Sequence, residues 1–207
     1  MSCTKTILTP LGQYTETVPP PEYQDDDPRN IVLSQVDKIN DTIVNQCVDC
    51  INRTDIPWVE KFLLIMLLRN GLRVSEIANP GSFELIDKDR FRLYAYKQKR
   101  HKICHLYEYS NIKWNRARVD TVRYWVRSRQ HYYRIISRWL PYIDTQRTGN
   151  QAVTHAGRYL LAQRTYEATR SIDAVKKAIG VVEKDSALHY LSPAQLKDFL
   201  IKSINSN

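Results

Sequence analysis

The sequence predicts a mostly α-helical domain carrying one small antiparallel β-sheet, an α+β fold. Three observations lead there. Apolar residues recur at helical spacing through most of the chain, the period drops toward two only around residues 82–109, and Gly and Pro fall between the periodic segments. At 207 residues, the chain can bury one full core with a short appendage.

Residues 1–30 read as an acidic, Pro-rich flexible tail, because Pro19-Pro20-Pro21 and Asp25-Asp26-Asp27-Pro28 offer little to bury. Residues 31–52 follow as an amphipathic helix or linker. From Ile31 to Ile51, Val32, Val36, Ile39, Ile43, Cys47 and Cys50 recur three and four apart. Cys47 and Cys50 lie on that stripe, and no second pair follows at zinc spacing, so both read as core packing. Residues 53–207 form the main domain. Asp55 and Pro57 start a helix whose run Val59–Leu68 is apolar nearly all round and therefore central. Gly71 caps it, and a short helix Val74–Ala78 stops before Pro80-Gly81.

Two strands come next. Phe91, Leu93 and Ala95 alternate with Arg92, Tyr94 and Tyr96, and Lys102–Glu108 alternates around Ile103, Cys104 and Leu106. The turn between them, Lys97-Gln98-Lys99-Arg100-His101-Lys102, is highly basic. Beyond it the pattern is helical: Val119–Leu140 with a break near His131, a loop over 141–150, His155–Thr169, Ile172–Ile179 up to Gly180, and Ser186–Leu191. Ser192-Pro193 caps a last helix with Leu196, Phe199, Leu200 and Ile204 on one face.

Charge is uneven along this plan. Residues 1–52 hold three bases against eight acids, a net −5, so residues 53–207 carry +14 of the chain's +9 total. A domain that basic fits a polyanionic partner as well as a solvated surface. No run reaches the roughly 20 apolar residues a membrane span needs. No secretory signal precedes the domain, and four cysteines in this length make no disulfide framework, which together suit a reducing intracellular compartment.

Three segments then carry chemistry. Asn70-Gly71-Leu72-Arg73-Val74-Ser75-Glu76 puts an arginine just past a glycine turn, with Glu76 one turn on to orient it. In Thr154-His155-Ala156-Gly157-Arg158, helical spacing would set His155 and Arg158 on one face. Tyr190 lies 32 residues after Arg158, in Ala187-Leu188-His189-Tyr190. Each is weak alone; their order gives them weight.

Together the segments resemble the catalytic domain of the tyrosine recombinase (phage integrase) family over roughly residues 55–191. The family's first arginine box reads T-G-x-R-x-S-E, its second box H-x-x-R, and its tyrosine follows a glycine-containing turn. The resemblance implies a DNA strand-transfer enzyme with Arg73, Lys97, His155, Arg158 and Tyr190 as catalytic residues and Glu76 in support. Lys97 would be the general acid, with Lys99 as its rival, while Lys99, Arg100 and Lys102 would grip DNA. It implies double-stranded DNA as partner, a homotetramer on two DNA sites, and no metal or other cofactor. The last helix would dock either on a neighbouring protomer or on its own domain. The pattern departs at Gly157, where the family usually has leucine, and at Val181, where it has a hydrogen-bonding His or Trp. The family's separate N-terminal clamp domain has one helix here to represent it. Three activities stay open: site-specific recombination or integration by an element or virus, DNA binding without turnover, and type IB topoisomerase-like relaxation.

Overall fold

A computed structural model describes residues 3–9, 12–18, 28–39, 41–107 and 112–205. The elements run β1 (Cys3–Thr9), β2 (Gly12–Val18), α1 (Pro28–Val36), α2 (Thr42–Arg53), α3 (Trp58–Asn70), α4 (Val74–Ala78), β3 (Glu84–Leu85), β4 (Arg90–Ala95), β5 (Arg100–His105), α5 (Arg116–Tyr124), α6 (Arg129–Ile136), α7 (Asn150–Thr154), α8 (Ala156–Thr169), α9 (Ile172–Ile179), α10 (Lys184–Leu188) and α11 (Pro193–Asn205). The predicted class, mostly α with a small antiparallel sheet, is what forms. The sheet has three strands in the order β3-β4-β5, all antiparallel.

Within the expected tail, β1 and β2 pair as an antiparallel hairpin, Cys3 opposite Val18 and Thr9 opposite Gly12. The triple proline and the aspartate run on which that reading rested lie outside the described residues.

α3 is the axis of the core. From Val59 to Leu68 every residue but Lys61 is buried, as a helix apolar on all sides requires. α8 packs across it and is buried on nearly every face from Ala156 to Tyr166. Their approach is set by Gly157. A Cβ there would overlap the Leu67 carbonyl oxygen and lie 2.8 Å from its carbonyl carbon. Gly71 ends α3 in the left-handed region at φ +60°, and a Cβ on it would meet Leu161 Cδ2 at 2.6 Å. Two glycines thus let the helices close, backbone against backbone at Gly157 and backbone against the Leu161 side chain at Gly71.

The helix predicted over 31–51 is two, and the break predicted near His131 falls slightly earlier. The segment 31–51 breaks between α1 and α2, because Asp41 caps α2 through Val44 N–H (3.2 Å) and because buried Arg164 of α8 inserts there. Arg164 Nε lies 2.6 Å from Asp41 Oδ2, and Nη2 donates to the Val36 carbonyl, 3.3 Å. The segment 119–140 breaks after Tyr124, a few residues before His131, where the chain folds back to a buried carboxylate. Glu60 of α3 accepts from Trp125 Nε1 (3.2 Å) and Arg127 Nε (3.0 Å) and contacts His131 Nε2 at 2.9 Å. Ser128 then caps α6 through His131 N–H.

α11 opens with a reciprocal cap, Gln195 N–H to Ser192 Oγ (3.2 Å) and Ser192 N–H to Gln195 Oε1 (3.3 Å). It lies on its own domain through Phe199, while Leu200, Ile201 and Ile204 stay exposed. No helix among the described residues is long and apolar enough to cross a membrane.

Gly157→Ala should destabilise the fold by about 3 kcal/mol through overpacking against a backbone carbonyl that cannot yield. Urea unfolding measures it, and a midpoint equal to that of the unchanged protein would refute the close-approach reading.

Candidate functional site

The crossing of α3 and α8 fixes where the sequence's two arginine boxes end up. Arg73 leaves the Gly71 turn in extended conformation (φ −84°, ψ 151°) as the N-cap of α4. Its backbone N–H donates to Glu76 Oε2 (2.8 Å) and its Nη1 to Glu76 Oε1 (3.2 Å). Arg158 follows Gly157 on α8 and is completely buried. Nη1 donates to the carbonyl of Ile179, the last residue of α9 before the left-handed Gly180 at φ +65°. Its Nε and Nη2 have no hydrogen-bond partner among the described residues. A buried guanidinium edge without an acceptor is costly to hold, and it suits an incoming anion.

His155 and Arg158 do not share a regular helix as the spacing predicts. His155 is the junction between α7 and α8, at φ −117° and ψ 7°. That conformation sends its ring to Tyr190. His155 Nδ1 and Tyr190 Oη are 2.7 Å apart, and the rings stack at 5.8 Å between centroids, 15° from parallel. The Tyr159 ring supports Tyr190 from another side at 5.1 Å. Tyr190 is 8% exposed, held by the turn after α10, where its N–H donates to the Ala187 carbonyl.

The lysine that reaches this cluster is not one of the two the turn suggests. Lys97 sits in a short 3₁₀ turn (Tyr96–Gln98), and Lys97, Lys99 and Arg100 are all exposed. Lys102, expected to grip DNA from the surface, is 4% exposed on β5 and points inward. Its Nζ lies 3.4 Å from Glu76 Oε2 and 3.5 Å from the Gly71 carbonyl. The cause is register. Lys102 pairs with buried Leu93, and Cys104 with buried Phe91, so Lys102 and Cys104 share the core face. Counting back two from the apolar Cys104 would have found it; the cluster of bases around it hid the alternation.

Charge is concentrated here. Burial pushes the Glu76 carboxyl up, but Lys102, the Arg73 N–H, the Arg73 guanidinium and Arg158 outweigh it and hold the group below its usual range. Burial pushes Lys102 down to about 8 against the pull of Glu76, with Arg158 and Arg73 adding to the fall. Burial and Arg73 bring Arg158 down to about 10, still cationic at neutral pH. Burial brings His155 to about 4, helped by Arg158, Arg73, Arg147 and Lys97, so its ring is neutral at pH 7. Arg147, in the loop before α7, adds to the field on His155, and no motif announced it.

The structure therefore gathers Arg73, Glu76, Lys102, His155, Arg158 and Tyr190, with Lys97 near enough to influence His155 from the rim. Val181 is half-buried against the core, and its N–H is taken by the Lys176 carbonyl at 3.0 Å. Position 181 offers no donor from side chain or backbone.

No family model matches the chain. No curated protein matches it in sequence. Among solved structures, it is similar to XerH site-specific recombinase bound to palindromic difH substrate, in a post-cleavage complex, at 12% identity and a TM-score of 0.48. The match covers 80% of this chain and 52% of the other, so the chain spans about half the length of that structure. At that identity and score, it is a likeness of outline that assigns no family.

Glu76→Gln should cost about 3 kcal/mol, because it strands a buried ammonium. Adding Lys102→Met should restore most of that loss. A double variant no more stable than Glu76→Gln alone would refute the stranded-ammonium reading.

Proposed function

We propose that the chain cleaves and rejoins double-stranded DNA through a 3′-phosphotyrosyl intermediate, as a site-specific recombinase or integrase. The observation that carries this reading is the free Nε–Nη2 edge of buried Arg158, beside Arg73 and a tyrosine hydroxyl 2.7 Å from a neutral imidazole. Three cations around one carboxylate leave the site short of negative charge, and a phosphodiester supplies it. The +14 carried by residues 53–207 suits DNA as its source.

In this reading Arg158 and Arg73 take the nonbridging oxygens. A neutral imidazole has one donor and one acceptor nitrogen. With the proton on Nε2, His155 donates to the phosphate and accepts the Tyr190 proton at Nδ1. The phenolate oxygen attacks phosphorus, the bond to the 5′-oxygen breaks, and that oxygen leaves with a proton. The resemblance suggests Lys97 for that proton, with Lys99 as rival. The observations favour Lys102, whose burial lowers its affinity for the proton while Glu76 keeps it charged at neutral pH. Lys97, Lys99 and Arg100 then hold flanking phosphates. Assembly as a tetramer on two sites belongs to the same proposal, and the exposed Leu200, Ile201 and Ile204 of α11 are consistent with a protomer contact.

One observation favours a second reading, DNA binding without turnover: position 181 supplies no donor to the phosphate. The first reading expects a covalent adduct on nicked suicide duplexes that is lost in Tyr190→Phe. The second expects no adduct and salt-sensitive binding unchanged by that substitution. Plasmid relaxation by a monomer without recombinant products would instead mark a topoisomerase-like activity.

Lys102→Ala should slow cleavage about 10²-fold or more. A 5′-bridging sulfur, which leaves without needing a proton, should restore most of the rate. Cleavage should also fall as pH rises through about 8, where Lys102 loses its proton. If sulfur rescues Lys97→Ala and not Lys102→Ala, the acid is Lys97.

A further inference from the structure

The loop that leads into α7 brings one more cation to the site. It is a built segment rather than a passing one. Ile143 anchors it in the core, Gln163 of α8 donates to the Asp144 carbonyl, and Gly149 turns it into α7 at φ +63°. Between these anchors, the Arg147 N–H donates to Thr145 Oγ1 (3.1 Å), and Arg147 Nη1 donates to Gln151 Oε1 (2.9 Å), one turn before His155. The side chain is half-buried. It touches one group that holds the tyrosine, Tyr159, whose hydroxyl lies against Thr145 and Arg147, and its charge disfavours the cationic form of the other, His155, one turn beyond Gln151. Tyr159 and His155 in turn flank the Tyr190 ring at 5.1 and 5.8 Å.

Position 181 leaves a gap in the donor set, since neither its side chain nor its N–H is available. A guanidinium tethered by one Nη to Gln151 and touching the Tyr159 hydroxyl still has N–H groups left for a further acceptor. We infer that Arg147 is a catalytic residue of the strand-cleavage reaction, donating to a nonbridging oxygen of the scissile phosphate from the side of Tyr190 in place of the donor missing at position 181. The inference rests on the phosphotyrosyl reading above. It makes the site a three-guanidinium one, with Arg73, Arg158 and Arg147 around one phosphate, and it gives the loop 143–149 a role in chemistry.

Two measurements test it. The first needs no DNA: the His155 ring is titrated by NMR, its resonance assigned with His155→Gln. Removing a facing cation makes the imidazolium easier to form, so Arg147→Ala should raise the His155 pKa, and Arg147→Lys should leave it nearly in place. The second uses a pool of nicked suicide duplexes randomised around the nick. Arg147→Ala should slow adduct formation about 10²-fold, with Arg147→Lys intermediate because it keeps the charge and loses the fork. On a recovered duplex carrying a methylphosphonate at the scissile position, the phosphate has lost its charge, and the deficit of Arg147→Ala should shrink to about threefold or less.

An unmoved His155 titration overturns the inference, as does an equal deficit on the charged and neutral phosphates, which would make Arg147 an ordinary backbone grip. Absence of an adduct from the unchanged protein overturns the cleavage reading and this role with it. An adduct that forms equally fast in the parent and in Arg147→Ala overturns this inference alone.

Discussion

Everything in the site hangs on how closely α8 lies against α3. Gly157 presents bare backbone to the Leu67 carbonyl, and Gly71, in the left-handed conformation, receives the Leu161 side chain at the other end of the same contact. Both arginines are the immediate neighbours of this seam: Arg158 follows Gly157, and Arg73 follows the Gly71 turn by two. A wider helix pair would carry the two guanidinium groups apart together with their helices. A small change in packing distance is therefore a change in site geometry, and interiors packed at crystal-like density resist such changes.

The same seam concentrates positive charge where water is scarce. Arg158 and Lys102 are buried, and Arg73 nearly so, against one carboxylate, Glu76. Glu76 is held ionised by all three and binds two of them directly, so it sets the orientation of Arg73 and the protonation of Lys102 at once. Opposite charge is still lacking, and the missing share is the stored preference for an anion. Such a preference works best when the donors are fixed before the ligand arrives. The backbone anchors meet that need: the Ile179 carbonyl for Arg158, the Gly71 carbonyl for Lys102, and the helix junction for His155.

The sequence was most legible where one physical rule acted alone. The apolar run Val59–Leu68 gave the central helix, and the alternation from Phe91 to Ala95 gave β4. It was least legible where a distant partner decided. Helical periodicity continues through the break between α1 and α2, which Arg164 makes from far away in sequence. The break expected near His131 is there, but distant Glu60 sets it earlier, at residues 125–128. Within the site, the positions of Arg73, Arg158 and Tyr190 were readable from motif order. His155 was read on a helix face and lies at a junction. Lys102 was lost among its basic neighbours, because composition marked the segment as surface while strand register turned that one residue inward. Arg147 had no motif to mark it and is visible only once the loop is folded.

The two departures from the pattern that the sequence resembles differ in kind. Gly157 is a packing solution: where a leucine would need room between the helices, glycine lets them close, and the arginine beside it keeps its place. It takes nothing from the donor set. At position 181 a valine stands where the pattern that the sequence resembles has a donor, and its backbone N–H is already spent on the end of α9. A substitution of the first kind is neutral for chemistry once the backbone has adapted to it. One of the second kind is not, and only another hydrogen-bonding group facing the same place can offset it. Arg147, against the Tyr159 hydroxyl on the preceding loop, is the group inferred to meet that condition. The valine at 181 and the presence of Arg147 are thus one question, and the proposed chemistry turns on whether they act as a pair.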